Sequence, residues 1–275
     1  MRTITILLAL IYTGATAQKS CCTISVNSQN TMLAMNESFI STHLDPLPFK
    51  LQNGKGIFVA FKTPDGKTGR VYLIKNEKPT KKVLFVFHEW WGVNDYMKQE
   101  AENLKTELGD VDVYLLDLYD GGVATTAEEA GKLMAAMKED RAKDIILGAI
   151  EMAGSDAKIA SIGWCFGGAW SLQAALLEGK HAVGCVMYYG MPETDIAKLK
   201  TLNCDVIGFF GTQDKFINPE VVKKFEENMK KAGKKLKVHN YDANHAFANP
   251  SNPKYNKPFA DDAHKKAVMY LKEKW

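Results

Sequence analysis

The chain has 275 residues, 46% of them hydrophobic, with a formal net charge of +3. That length supports one large core. Lysines are scattered along helical faces and cluster only in pairs such as Lys230-Lys231 and Lys234-Lys235, so there is no nucleic-acid footprint. Repeats and low-complexity tracts are absent from the sequence.

Met1-Arg2 precede an apolar stretch, Ile4 to Tyr12, and then Ala15-Thr16-Ala17. A charged start, a short apolar run and an A-x-A site predict a secretory signal peptide over residues 1–17, with Gln18 as the first mature residue. The run is too short to cross a bilayer, which takes about 20 residues. The mature protein is expected to be exported, periplasmic or secreted, without a membrane span, and a monomer. Residues 18–55 read as a polar arm with a short helix from Met32 to Ile40, broken by Asp45-Pro46-Leu47-Pro48. The arm carries adjacent Cys21 and Cys22, which would form a strained bridge with each other. No catalytic part is expected of it.

Residues 56–275 read as one globular domain. Gly56 to Lys62 and Val71 to Lys75 flank Pro64-Asp65-Gly66 and predict a hairpin. From Val83 onward strand and helix patterns alternate. Strands are predicted near 83–88, 111–117, 158–163, 182–189, 204–210 and 236–241. Helices are predicted near 95–108, 126–137, 141–153, 168–178, 218–231 and 259–273. This alternation predicts an α/β fold, a mostly parallel central sheet with helices on both faces. Cys185 and Cys204 fall on or beside apolar strands and read as buried thiols.

The segment Gly163-Trp164-Cys165-Phe166-Gly167-Gly168 joins an apolar strand to an amphipathic helix. Glycine stands two residues before and two after the cysteine. This is the G-x-nucleophile-x-G elbow of α/β-hydrolases, with cysteine in the usual place of serine. A sharp strand-to-helix turn forces unusual backbone angles on the nucleophile, and glycine neighbours leave room for the close approach. The helix N-terminus favours thiolate. Asp214 follows the strand ending in Phe209-Phe210-Gly211, and His245 follows the strand ending near Asp242. The order nucleophile, acid, histidine is the α/β-hydrolase order. Cys165 is the candidate nucleophile, His245 the base, and Asp214 the group that orients it. The loop after the strand at 83–87 is His88-Glu89-Trp90-Trp91-Gly92. It nominates the Trp90 amide, with the Phe166 amide, for an oxyanion hole. His88-Glu89 also begins an H-E-x-x-H pattern, but position 92 is glycine, so no zinc site is assigned to it.

Gly163-Trp164-Cys165-Phe166-Gly167-Gly168 together with Glu89, Asp214 and His245 resembles the dienelactone hydrolase family, over roughly Gly56 to Trp275 and including Leu118-Tyr119-Asp120-Gly121. The resemblance implies a single-domain cysteine hydrolase that opens small-molecule lactones or esters without a cofactor. It also implies that Glu89 interacts with the resting cysteine and helps form thiolate. Dienelactone-cleaving members hold a substrate carboxylate with arginines, one of them four residues after the histidine. Here that position is Asn249, and Arg70 and Arg141 are the sole arginines after Ala17. A different ester, lactone or thioester fits at least as well. A thioesterase, a sugar-ester deacylase, a peptidase, or a non-catalytic exported binding protein on the same fold are the alternatives.

Overall fold

The computed structural model describes residues 24–275. The expected signal peptide, Cys21 and Cys22 lie outside these residues.

The arm folds into two helices, α1 (Val26–Ala34) and α2 (Glu37–Thr42), where one over 32–40 is predicted. The break falls at Met35-Asn36 because the Asn36 side chain accepts from the Phe39 amide (3.1 Å) and starts a new helix. The hairpin follows as β1 (Ile57–Lys62) and β2 (Thr68–Ile74). Then come β3 (Lys82–Phe87), α3 (Asp95–Leu108), β4 (Asp112–Leu116), α4 (Ala127–Ala136), α5 (Glu139–Ala153) and β5 (Lys158–Trp164). The chain continues through α6 (Phe166–Leu177), β6 (Ala182–Tyr188), α7 (Ile196–Leu199), β7 (Val206–Gly211), α8 (Pro219–Lys231), β8 (Leu236–Tyr241) and α9 (Lys257–Lys272). The predicted strands and long helices are all present within two residues, except the hairpin strand β2, which begins three residues early; α7, a single turn too short to show a period, is an addition to them. Helix α6 starts at Phe166, directly after the elbow cysteine, rather than at 168.

The eight strands form one sheet in the order β1-β2-β4-β3-β5-β6-β7-β8. The pairs β1–β2 and β2–β4 are antiparallel and the others parallel. Helix α3 packs on α9 and α5 on α6, so helices cover the sheet from both faces. This is the α/β-hydrolase fold. The inner strands read as unbroken apolar runs because both their faces are covered: every residue of β4 and β7 is buried. Edge strand β8, Leu-Lys-Val-His-Asn-Tyr, alternates instead and is half exposed. Parallel order puts the ends of β3, β5, β6, β7 and β8 along one edge of the sheet, where an open α/β sheet builds its site.

Candidate active site

Cys165 follows β5 with φ 53° and ψ −117°, a conformation that L residues rarely adopt and that costs about 1–3 kcal/mol. The fold holds it there. Its amide donates to the Tyr188 carbonyl at the end of β6 (2.9 Å), and its own carbonyl accepts from the Ala169 amide in α6 (3.2 Å). A Cβ on Gly163 would lie 2.1 Å from the Gly167 carbonyl oxygen. A Cβ on Gly167 would lie 2.3 Å and 2.4 Å from the carbonyl oxygens of Phe87 and His88. Both glycines are therefore required by backbone contact. The sulfur sits at the N-terminus of α6, where the Phe166 amide favours its ionised form.

His245 and Asp214 meet it there. Asp214 Oδ1 accepts from the Phe216 and Ile217 amides (2.8 and 3.0 Å), which leaves Oδ2 facing His245 Nδ1 at 2.6 Å. The helix cap is Asn218, so Asp214 is not spent on capping. With Nδ1–H given to Asp214, His245 Nε2 faces Cys165 Sγ at 3.1 Å. Burial by itself pushes His245 down, but the charges of Asp214 and Cys165, with the hydrogen bonds to them, hold it well above its ordinary value. Burial raises the Cys165 thiol, against the pull of His245. Forming thiolate here therefore depends on the imidazolium beside it.

Glu89 is placed by a rigid loop after β3. His88 is buried, its Nδ1–H donates to the Glu89 carbonyl (2.6 Å), and its Nε2 accepts from the Leu118 amide (3.2 Å). Tyr189 Oη donates to Glu89 Oε1 (3.1 Å) and Asn249 Nδ2 to Glu89 Oε2. Asn249 Oδ1 in turn accepts from the Ser251 amide (2.8 Å) and hydroxyl (2.7 Å). Both oxygens of Glu89 are thus taken, and it reaches Cys165 through its charge, which raises the thiol. Burial pushes the Glu89 carboxyl up to about 7, with His245, Tyr189 and Asn249 opposing. The sequence shows Asn249 as a missing arginine; the structure makes it the clamp on Glu89. Tyr189 carries no sequence signal, since its place depends on β6 lying beside β5.

The arm enters the site, against expectation. Phe39 is fully buried, with its ring edge-on to Trp90 and Phe216 at 5.4 and 5.0 Å between centroids. His43 is 7% exposed and lies 4.5 Å from the Trp90 ring and 5.2 Å from the His245 ring. Its Nδ1–H donates to the Phe39 carbonyl (2.7 Å). Burial and the nearby His245 bring His43 down to about 3, so it is a neutral imidazole. An aromatic and a histidine four apart on a short helix were the available signal; no local pattern says that this helix reaches the sheet edge. The ligating atoms of His43, Cys165 and His245 all lie within 4.8 Å of one another. Trp90 is fully buried, and its indole Nε1 has no hydrogen-bond partner among the described residues.

Two cavities flank these residues. One of ≈ 230 Å³ is lined by Glu89, Trp164, Tyr188, Asn249, Tyr255 and His264 among others, and touches neither Cys165 nor His245. The other, of ≈ 140 Å³, borders His43, Phe216, His245 and Lys254. No arginine among the described residues lines either. Arg141 is not a solvated side chain. It binds both carboxylate oxygens of Asp120 (2.9 and 2.6 Å), the Thr63 hydroxyl (2.9 Å) and the Thr68 carbonyl (2.7 Å), which ties the loop after β4 to the hairpin. Arg70 stands over the Phe58 ring at 4.5 Å. Cys185 is buried, Cys204 is only half-buried, and neither is bridged to another cysteine among the described residues.

The chain is 30% identical over 207 residues to the protein usf of Aquifex pyrophilus, covering 69% of this chain and 87% of that one. It is 24% identical over 216 residues to carboxymethylenebutenolidase 1 of Cupriavidus pinatubonensis, covering 73% and 89%. Among solved structures, a dienelactone hydrolase-like promiscuous phosphotriesterase from metagenomic libraries superposes with a TM-score of 0.66 at 20% identity, over 80% of this chain and 99% of that one. That likeness shows the fold. The family model for the dienelactone hydrolases matches residues 70–275, three quarters of the sequence, and the chain belongs to the dienelactone hydrolase family.

Proposed function

We propose that this ester-bond hydrolase cleaves a lactone or carboxylic ester through a thioacyl-enzyme on Cys165, and that residues 1–17 direct its export. One observation carries the mechanism. The two nitrogens of His245 are divided between Asp214 Oδ2 at 2.6 Å and Cys165 Sγ at 3.1 Å. That is the nucleophile–base–orienter arrangement of acyl transfer.

The thiolate attacks the acyl carbon and the carbonyl π pair moves to oxygen. The Phe166 and Trp90 amides are the donors assigned to that oxyanion. Collapse expels the alcohol, which takes its proton from His245, and leaves the thioester. His245 then removes a proton from water, the hydroxide adds to the thioester, and the second collapse returns thiolate and releases the acid. Asp214 keeps Nε2 facing the reacting atoms throughout. Glu89, poised to ionise near neutrality, acts on the proton balance of the Cys165–His245 pair through its charge. These steps use protein groups and water.

Among the described residues no arginine lines either cavity, so a substrate carboxylate would meet the lysine point charges of Lys215 and Lys254 rather than an arginine fork. The test is a panel of lactones and esters run on wild type and Cys165→Ala, with intact mass measured after rapid quenching. An acyl adduct on wild type and none on the variant is expected. Equal hydrolysis by Cys165→Ala sinks the mechanism. Export is checked by the mass of the mature chain, which should begin at Gln18.

A further inference from the structure

We propose that His43, Cys165 and His245 form a chelating site for a thiophilic divalent cation, with Zn2+ as the probe, and that filling it silences the nucleophile. The silencing half rests on the role proposed for Cys165; the binding half stands by itself.

The donor set is one thiol and two imidazoles, a combination that suits zinc. Their ligating atoms lie within 4.8 Å of one another, and Cys165 Sγ is 3.1 Å from His245 Nε2. Zinc bonds of about 2.3 Å to sulfur and 2.0–2.1 Å to nitrogen need ligand separations of roughly 3.5 Å, so each side chain moves by about 1 Å or less.

The second and independent observation is His43 itself. Its Nε2 is buried with no hydrogen-bond partner among the described residues. Its Nδ1–H is committed to the Phe39 carbonyl, so the lone pair is on Nε2, and the ring brings a nitrogen within 4.8 Å of the ligating atoms of Cys165 and His245. His245 is backed in the same way by Asp214. An imidazole whose far nitrogen donates to a carbonyl or carboxylate is what a metal ligand has behind it. Here both imidazoles have it.

The cavity of ≈ 140 Å³ borders His43 and His245 and has room for water as the fourth ligand. Lys215 and Lys254 line the same cavity, so charge attraction does not recruit the cation and affinity must come from the three ligands. Binding forms one Zn–S and two Zn–N bonds. The one proton shared between Cys165 Sγ and His245 Nε2 leaves to solvent, and nothing is oxidised or reduced. The sulfur lone pair that would attack an acyl carbon is then held by the metal. The third ligand comes from the arm, outside the residues 70–275 that match the family. A bare catalytic Cys–His pair would lack it.

The experiment titrates Zn2+ into the full chain carrying Cys21→Ser and Cys22→Ser, so that those two thiols do not compete. A chromophoric chelator reports binding, and iodoacetamide labelling of Cys165 reports protection. One equivalent per chain is expected, with labelling and ester hydrolysis lost together and restored by EDTA. Outer-shell substitutions cost metal sites 10–100-fold, so removing the direct ligand in His43→Ala should weaken binding at least ~10-fold. His43→Gln, which keeps the side chain's bulk, should do the same with an unchanged melting curve. Unchanged affinity in both His43 variants overturns the proposal, as does an equivalent that persists in Cys165→Ala. Because affinity is read without substrate, loss of the catalytic reading and loss of the metal site are separate results.

Discussion

Replacing Glu89 by glutamine should make the protein less sensitive to pH as it makes it less active. Glu89 is buried and its carboxyl is pushed from 4.5 up to about 7. In the unfolded chain it ionises first, so between those two values the folded state holds more protons. Stability therefore falls as pH rises through that window. At about 1.36 kcal/mol per pH unit, the whole loss is roughly 3 kcal/mol. Glutamine has the same shape and no titration. Its amide oxygen can accept from Asn249 Nδ2 while its NH2 turns to the Tyr189 hydroxyl, so the variant exchanges a carboxylate acceptor for a neutral amide at a cost of about 1–2 kcal/mol that does not vary with pH. The clean quantity is thus the pH dependence of the difference, not its value at one pH. Urea unfolding of both proteins at pH 4.5, 5.5, 6.5 and 8 measures it. The variant should gain on wild type by roughly 3 kcal/mol across the series while ester turnover falls. A difference that stays flat from pH 4.5 to 8 refutes the buried, raised carboxyl.

Three further outcomes are expected. Asp214→Asn keeps the contact but lets His245 adopt the wrong tautomer, so kcat should drop on the order of 10³–10⁴-fold with little change in KM, read from steady-state ester kinetics. Gly167→Ala puts a methyl group against the Phe87 and His88 carbonyls, so thermal melts should show about 1–3 kcal/mol of lost stability along with lost turnover; an unperturbed melt would show that the elbow has slack. Glu178 is buried with neither carboxylate oxygen partnered among the described residues, and burial holds it well above its usual range. Its folded state keeps the proton that the unfolded chain loses above pH 4.5, so stability declines as pH rises. Glu178→Gln should raise stability by about 1–3 kcal/mol at pH 8 and by less at pH 4.5, measured by chemical unfolding.

Much of the fold was legible in the sequence because parallel strands covered on both faces are unbroken apolar runs, and helices between them carry their own period. Boundaries drifted where a cap decided them, as at Asn36, which divides one expected helix into two. Cys165, Asp214 and His245 could be found because each follows a strand and their chain order matches a known arrangement. Glu89 came from the loop after β3. Tyr189, Asn249 and His43 could not be read in the same way. Their roles are contacts with residues about 100, 160 and 200 positions away in the chain.

The sequence by itself determined the elbow, the order of the three candidate catalytic residues and the strand-helix alternation that carries them, since these depend on local sterics and periodicity. Tertiary structure decided the environment of those groups. It gave Asn249 to Glu89 and Arg141 to Asp120, and it laid the arm's Phe39 and His43 over the histidine. The physical reason is that hydrogen bonding, burial and charge act through space. A side chain's partner, and with it the proton it holds, is settled only when distant strands and the arm have packed together.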